Sequence, residues 1–305
     1  MRGSDVVIHT NTGIFGKEEE IERFPPIKQR IDLSEHMWVG KLEGKLAAII
    51  MDTCEPKAVG MPSPVRQFGQ LYSFVREPVY DDMHRWDRDN VLASVVGLSR
   101  LIHPTSVGFY YAARLGYEAT ESAEVDHIVP ADIMGISKQA FLSPRRTRDW
   151  LTDAEAAILR ELIPALRHDL PRRIHNALWH HEYAARTYYL DHRWTLVCTG
   201  LEALVHTDRH FSTAQFGRRV SQLASELGID IPEPNANEAY DLRSQLAHGV
   251  SFLSTETNPG PSHAQLELYD RLEDTLRMTV LRGMRDRAFG DLFRDDAQIR
   301  KRWPI

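Results

Sequence analysis

From residue 153 onward the sequence is a succession of helix-length segments with apolar residues at helical spacing, separated by Pro, Gly and Asn. Three segments open on a capping box, in which two side chains three residues apart satisfy backbone donors at the helix start: Thr152/Glu155, Ser212/Gln215 and Ser262/Gln265. We predict helices at approximately 153–168, 172–190, 193–207, 213–227, 236–252 and 263–288. The second half of the chain is therefore expected to be all-α.

The first part of the chain has a different pattern. Apolar or β-branched runs at 6–9, 46–51, 71–75 and 107–112 predict strands, and helical spacing over 86–101 predicts one helix among them. The segment Ser-Pro-Arg-Arg at 143–146 is the expected joint. We predict an α+β protein, with a mixed α/β domain over 1–142 that shows no catalytic pattern, followed by an all-α domain over 143–305.

Composition excludes several classes of protein. With 305 residues, 42% hydrophobic and 26% charged, the chain is an ordinary folded protein. Its longest apolar run, 46–51, is far shorter than the ~20 residues of a membrane helix, and the first residues lack a signal-peptide core. The net charge of -6 argues against a globally basic nucleic-acid coat. We expect a cytoplasmic protein without membrane contact, in which Cys54 and Cys198 are reduced, buried thiols.

Two familiar motifs are present only in part. The segment Gly-Ile-Phe-Gly-Lys-Glu at 13–18 has its glycines too close together for a phosphate loop, and Glu18 stands where a hydroxyl should hold magnesium. His181 and Glu182 begin like a zinc-protease helix, but Ala185 occupies the position of the second histidine. Neither motif supports a nucleotide or metal site.

One segment combines residue types that carry chemistry. Residues 240–249 read Tyr-Asp-Leu-Arg-Ser-Gln-Leu-Ala-His-Gly, which places Arg243 and His248 on one predicted helix. Such a pair arises by chance in a chain of this composition, so the context decides. The segment resembles the Arg, four to six residues, His motif of the Apea-like branch of the HEPN superfamily. Upstream, 201–204 reads Leu-Glu-Ala-Leu, similar to that branch's Leu-Glu-x-Leu box, and 177–179 reads Ala-Leu-Trp. The resemblance covers approximately 170–285.

The resemblance implies a HEPN-like helical bundle that cleaves RNA as a homodimer, without a metal or other cofactor. Metal-free cleavage needs a base for the 2′-OH proton, an acid for the departing 5′ oxygen and a cation beside the phosphate. Histidine, with an unperturbed pKa of ~6.5, serves as base or acid, and arginine stays charged and can bind two phosphate oxygens. His248 and Arg243 are thus the predicted catalytic residues. The family relationship implies a toxin or anti-phage defence effector, with an antitoxin or regulatory partner.

Structural interpretations of the same pair stay open. Arg243 would then pair with a nearby acid such as Asp241 or Glu238. His248 would be a helix C-terminal residue, stabilised by the helix dipole just before Gly249.

Three further residues are predicted to support the site. Glu202 either holds Arg243 or an RNA-facing water, or forms a buried structural pair. Tyr240 is either a packed aromatic or a catalytic one, and Ser244 either contacts phosphate or is solvated. The rival function is a non-catalytic HEPN-like dimerisation or RNA-binding module. A third hypothesis places the activity in residues 1–142.

Overall fold

The computed structural model describes about two thirds of the chain in a set of separate segments. These are residues 2–10, 31–34, 37–41, 72–76, 95, 97–104, 108–117, 128–138, 151–165, 169–187, 189–208, 212–250, 252 and 260–305. The chain divides into two compact units, residues 1–160 and 161–305.

The first unit contains a six-stranded sheet in which every pairing is antiparallel. Its strands are β1 (Arg2–Thr10), β2 (Ile31–Ser34), β3 (Met37–Lys41), β4 (Tyr72–Arg76), β5 (Gly108–Tyr117) and β6 (Ile128–Lys138). They lie in the order β2-β3-β4-β1-β5-β6, with Val6 opposite Val75 and Ala113. Pro130, which has no N–H to give to a ladder, is in β6 at the edge of the sheet, where such a residue is tolerated.

Three of the predicted strands are confirmed, since 6–9 lies in β1, 71–75 overlaps β4 and 107–112 overlaps β5. The predicted strand at 46–51 lies outside the described residues. Helical residues at 97–102, with Leu98 and Leu101 buried, agree with the predicted helix where the structure describes it. Strands β2, β3 and β6 were not predicted.

From residue 153 the described chain is helical, so the α+β class is confirmed. The helices are α1 (Asp153–Ala165), α2 (Arg172–Arg186), α3 (Leu190–Val205), α4 (Ser212–Glu226), α5 (Glu233–Ala247), α6 (His263–Arg285), α7 (Arg287–Asp291) and α8 (Asp296–Arg302). A short 3₁₀ turn, Leu292–Arg294, joins α7 to α8. The capping boxes at Thr152 and Ser262 are both formed. No helix among the described residues is long and apolar enough to cross a membrane.

Helix α3 is the centre of the second unit. Trp194, Val197, Leu201 and Leu204 on this helix are all fully or almost fully buried. Its neighbours contribute Ile174 and Ala177 from α2, Phe216 and Val220 from α4, Ala236 and Ala239 from α5, and Leu272 and Leu276 from α6, all with no exposed surface. Helix α3 consequently has few solvent-facing positions, and of its residues only His192 is exposed.

The C-terminal segment is held against α4 by two charged side chains. The Arg219 guanidinium, itself buried, donates to the backbone carbonyls of Trp303, Val205 and His206. Glu226, the last residue of α4, accepts from Arg302 at 2.8 and 3.1 Å and from the indole of Trp303 at 3.3 Å. These bonds fix α8 on the bundle.

The charge of Glu226 makes this contact sensitive to acid. The hydrogen bond from Arg302 lowers the pKa of Glu226 below its ordinary value, against the opposing effect of burial, and Trp303 and Arg282 add to the lowering. Because the folded-state pKa lies below the unfolded one, the stabilisation is present above the unfolded pKa and is lost as the pH falls through the folded pKa.

We expect Glu226→Gln to lower the free energy of unfolding by about 1–2 kcal/mol at neutral pH, since charge-assisted bonds to Arg302 become neutral ones. The difference in unfolding free energy between wild type and the variant should shrink as the pH falls below 4.5, the ordinary pKa of a glutamate side chain. Urea unfolding at a series of pH values measures it. A constant difference down to strongly acidic pH would contradict the role of the Glu226 charge.

Candidate active site at the α3–α5 contact

Helix α5 presents the Arg-containing segment, and its start and end are set by local sequence. It begins after Pro232, with Pro234 in the first turn, where a missing N–H costs no hydrogen bond. Glu233 in the same turn is favourable beside the positive end of the helix dipole. The helix thus begins three residues earlier than predicted, because Pro232 is its N-cap and Pro234 lies in its first turn.

The C-terminal end of α5 places His248. Gly249, with a φ of 98°, turns the chain, and the amides of Gly249 and Val250 donate back to Leu246 and Gln245 in a Schellman motif. The helix therefore ends at Ala247 instead of the predicted 252. His248 is the exposed C-cap residue, and its imidazole has no hydrogen-bond partner in the part of the chain that the structure describes.

A row of residues four apart on α3 faces α5. Trp194 Nε1 donates to the carbonyl oxygen of Ala239 at 3.0 Å, and Cys198 Sγ lies 3.8 Å from the same oxygen. One turn further along α3, Glu202 reaches Tyr240 and Arg243. Spacing of four residues keeps these side chains on one face of the helix. The row therefore fixes the position of α5 against α3.

Glu202 is the acceptor at the centre of the candidate site. Its Oε1 accepts from the Tyr240 hydroxyl at 2.7 Å and from the Thr207 hydroxyl at 2.9 Å. Its Oε2 accepts from Arg243 Nη2 at 3.2 Å. Of the alternatives that the sequence left open, Arg243 thus pairs with Glu202, while Asp241 accepts from Thr213 at 3.3 Å.

Arg243 is held but only partly covered. About a quarter of its side chain is exposed, 26%, and its guanidinium carbon lies 5.3 Å from the centroid of the Tyr240 ring. Nη2 is engaged by Glu202, whereas Nη1 donates to no residue that the structure describes. The guanidinium therefore has a defined orientation and retains one terminal nitrogen for a ligand.

Tyr240 and Ser244 differ in their surroundings. Tyr240 is buried, packs on Phe216 at 4.8 Å between ring centroids, and gives its hydroxyl proton to Glu202. Burial, followed by the Glu202 carboxylate, raises the pKa of Tyr240 above its ordinary value, so the phenol stays protonated. Ser244 is exposed on α5. The structure thus brings together Glu202, Tyr240 and Arg243, and leaves Ser244 and His248 facing solvent.

Trp194 and Thr207 were not predicted as part of the site, and Cys198 was predicted only to be a buried thiol. The four-residue spacing from Trp194 through Cys198 to Glu202 was the available signal. Cys198 is a free thiol and buried as predicted, and Cys54 lies outside the described residues. Burial raises the pKa of the Cys198 thiol to about 12, with Arg243 lowering it and Glu202 raising it to lesser extents.

Cys198 is therefore expected to be inert in the folded protein, because the thiolate is the reactive species. In a Cys54→Ser variant, iodoacetamide at mildly alkaline pH should modify Cys198 at least ~100-fold more slowly in buffer than in denaturant. Mass spectrometry of timed samples gives both rates. Equal rates in a protein shown by circular dichroism to be folded would contradict the burial.

Comparison of the chain with models of protein families, with curated proteins and with solved structures finds no match. The described residues also contain no group of three or more His, Cys, Asp or Glu side chains placed to hold a metal ion. Inferences about function therefore rest on the chemistry of the α3–α5 contact and of the α5 C-terminus.

Proposed function

We propose that this protein is a metal-independent endoribonuclease of the Apea-like HEPN type, acting in the cytoplasm as a homodimer. One observation carries the proposal. Arg243 is oriented by Glu202 with Nη1 uncommitted, and an exposed His248 follows five residues later at the end of the same helix. A fixed cation and an accessible imidazole are the two groups that metal-free RNA cleavage requires.

In the proposed reaction, an imidazole accepts the proton of a ribose 2′-OH and the 2′ oxygen attacks the adjacent phosphorus. The bond from phosphorus to the 5′ oxygen breaks, and that oxygen takes a proton from a second imidazole. The products are a 2′,3′-cyclic phosphate and a 5′-OH. Arg243 Nη1 stabilises the charge on the crowded phosphate, a role in which a preorganised donor is effective. Glu202 and Tyr240 are positioning residues, because they act through Arg243.

Two copies of the chain supply the two imidazoles. On an ideal helix, residues five apart point about 140° away from each other and lie ~7.5 Å apart along the axis, so Arg243 and His248 would not reach one phosphate together if both were helical. His248 is the C-cap residue and lies beside Gly249, so its backbone departs from helical geometry. A twofold contact would place one Arg/His pair beside the other.

The proposal is tested by incubating the purified protein with RNA in EDTA, beside an all-deoxy strand of the same sequence. We expect cleavage of the RNA alone, with cyclic phosphate and 5′-OH ends detected by mass spectrometry. Loss of cleavage on chelation would refute the metal-free mechanism. Cleavage of the DNA strand would refute attack by the 2′-OH.

A second candidate function is supported by the same ion pair. Glu202 Oε2 lies 3.2 Å from Arg243 Nη2 and neutralises much of the arginine charge. An ion pair of this kind also suits a purely structural role. The protein would then be a non-catalytic dimerisation or RNA-binding module. RNA binding without any cleavage by an intact dimer would favour this alternative. A role as a toxin or defence effector, with an antitoxin or regulatory partner, is the biological setting that we propose for the nuclease.

A further inference from the structure

The outward face of α2 carries a line of exposed rings. His175, Trp179 and Tyr183 are four residues apart, so they lie one above the other on a single face of the helix. We call these three residues the aromatic stripe. Trp179 is 46% exposed and Tyr183 48% exposed, values that are high for large aromatic side chains. The bundle does not use these rings for its core.

The aromatic stripe is ordered by contacts within α2. Trp179 Nε1 donates to His175 Nε2 at 3.1 Å. The Trp179 and Tyr183 rings are stacked, with centroids 5.6 Å apart and planes 26° apart, and the Arg186 guanidinium lies 5.7 Å from the Tyr183 centroid. Because the rings already hold one another in place, a ligand that stacks on them immobilises few additional rotamers.

The exposed residues around the aromatic stripe favour an anionic partner. Between 172 and 192, the exposed residues that the structure describes include Arg172, His192 and a further aromatic ring, Tyr189, but no carboxylate. Glu182 is mostly covered and lies 3.8 Å from Arg186. This is notable in a chain whose net charge is -6. The exposed residues of α2 itself therefore offer phosphate groups cationic and imidazole side chains and no acid. Asp169, three residues before Arg172, is exposed but is paired with Arg294 at 2.9 Å.

The same residues fit nucleic-acid bases better than another protein surface. The exposed positions of α2 include no aliphatic side chain, whereas contacts between helices are built largely from Leu, Ile and Val. Aromatic rings beside basic groups form the stacking platforms of proteins that bind single strands, because every base has a π face. Bases inside a duplex are already stacked and are not available to such rings.

We propose that the aromatic stripe binds single-stranded RNA by base stacking, and that unpaired RNA is therefore the substrate class of this protein. The inference rests on the proposed function for its connection to cleavage. The position of the aromatic stripe is consistent with binding the RNA that is cleaved. Arg173, near the start of α2, donates to the carbonyl of Ala203, the residue after Glu202. The His175 end of the aromatic stripe thus lies at the end of the bundle that carries Glu202.

The test measures binding separately from cleavage. A short fluorescein-labelled 2′-O-methyl RNA, which lacks the 2′ nucleophile, is titrated with full-length protein as a single strand and as a duplex. We expect the wild type to prefer the single strand, and Trp179→Ala and Tyr183→Ala each to weaken its binding about tenfold. Arg172→Glu should weaken it and reduce its salt dependence.

Ile305→Ala is the matched control for the loss of exposed apolar surface, because it truncates a side chain that is 58% exposed and lies outside the aromatic stripe. It should bind as wild type does. Tyr183→Phe keeps the ring and removes only the hydroxyl, so it should bind more tightly than Tyr183→Ala. Because all the substituted side chains are exposed, circular dichroism should show no change in folding.

Several results would overturn the inference: no binding of the single strand by the wild type, equal affinities for the aromatic-to-Ala variants and the control, or a preference for the duplex. So would an unchanged RNA affinity combined with dissociation of the dimer by Trp179→Ala, since the surface would then be a contact between copies. Failure of the proposed nuclease is distinguishable, because it appears as intact stacking-dependent binding without cleavage of natural RNA.

Discussion

Replacing His248 by Ala is expected to slow RNA cleavage by roughly 10²- to 10⁴-fold, the contribution of a positioned acid or base. In the proposed dimer both proton-transfer groups are lost together, so the upper part of this range is expected. The fold should survive, because His248 is exposed and lies beyond the last residue of α5. The measurement is the initial rate of cleavage of a labelled RNA, with the thermal midpoint of each variant recorded beside it.

His263→Ala is the matched control, because this histidine is also exposed, 87%, and is the first residue of a different helix, α6. It should cleave as wild type does. Loss of a charged group at a helix C-terminus costs about 0.3–1 kcal/mol, which is too little to account for a large loss of rate. Cleavage at the wild-type rate by His248→Ala would exclude this site and leave the binding-module hypothesis.

Arg243 variants separate catalysis from positioning. Arg243→Lys keeps the charge but loses the planar fork that holds Glu202 and phosphate together, so its rate should lie between wild type and Arg243→Ala. Glu202→Gln removes the charge of the acceptor while it keeps its size. If Glu202 acts through Arg243, the variant should change the rate with Arg243 present and have little further effect in an Arg243→Ala background.

The helices were predictable because periodicity and capping are local properties of the sequence. All six predicted helices of the second half are present, with errors at their ends, whereas α8 and most of α7 were not predicted. The predicted α5 ran too long at its C-terminus, because Gly249 was not given the positive φ that ends the helix. Its first residues were assigned to a loop because of Pro232 and Pro234, although proline is tolerated in a first turn.

The sheet was less predictable because its pairing is nonlocal. Among the strands that the structure describes, β6 pairs with β5 alone, and a proline such as Pro130 fits a strand only at an edge, which the pairing and not the local sequence reveals. Strands β2 and β3 are four and five residues long, too short for a clear alternating pattern. The candidate site shows the same division. Arg243 and Glu202 were predicted from motifs. Because most of α3 is buried, its sequence does not show which of its faces contacts α5, and Trp194 was therefore not predicted.

Trp194→Ala is expected to lower the free energy of unfolding by about 3–5 kcal/mol, the usual cost of removing a large aromatic side chain from a core. Trp194 has no exposed surface and lies between helices, with ring centroids 5.7 Å from Phe252 and 5.9 Å from Tyr269. Its indole also donates to the carbonyl of Ala239, next to Tyr240. The variant therefore loses packing and removes the indole donor to the Ala239 carbonyl.

Trp194→Phe separates these two losses. This variant keeps most of the aromatic side chain but removes the N–H donor. Its free energy of unfolding should therefore fall by only about 1–2 kcal/mol. Urea unfolding followed by circular dichroism measures both variants, and equal stabilities for the two would contradict the packing role. Since Trp194 and Glu202 face α5 from the same side of α3, folded Trp194→Ala should also cleave RNA more slowly than Trp194→Phe. A core residue two turns from Glu202 would then control how firmly Arg243 is held.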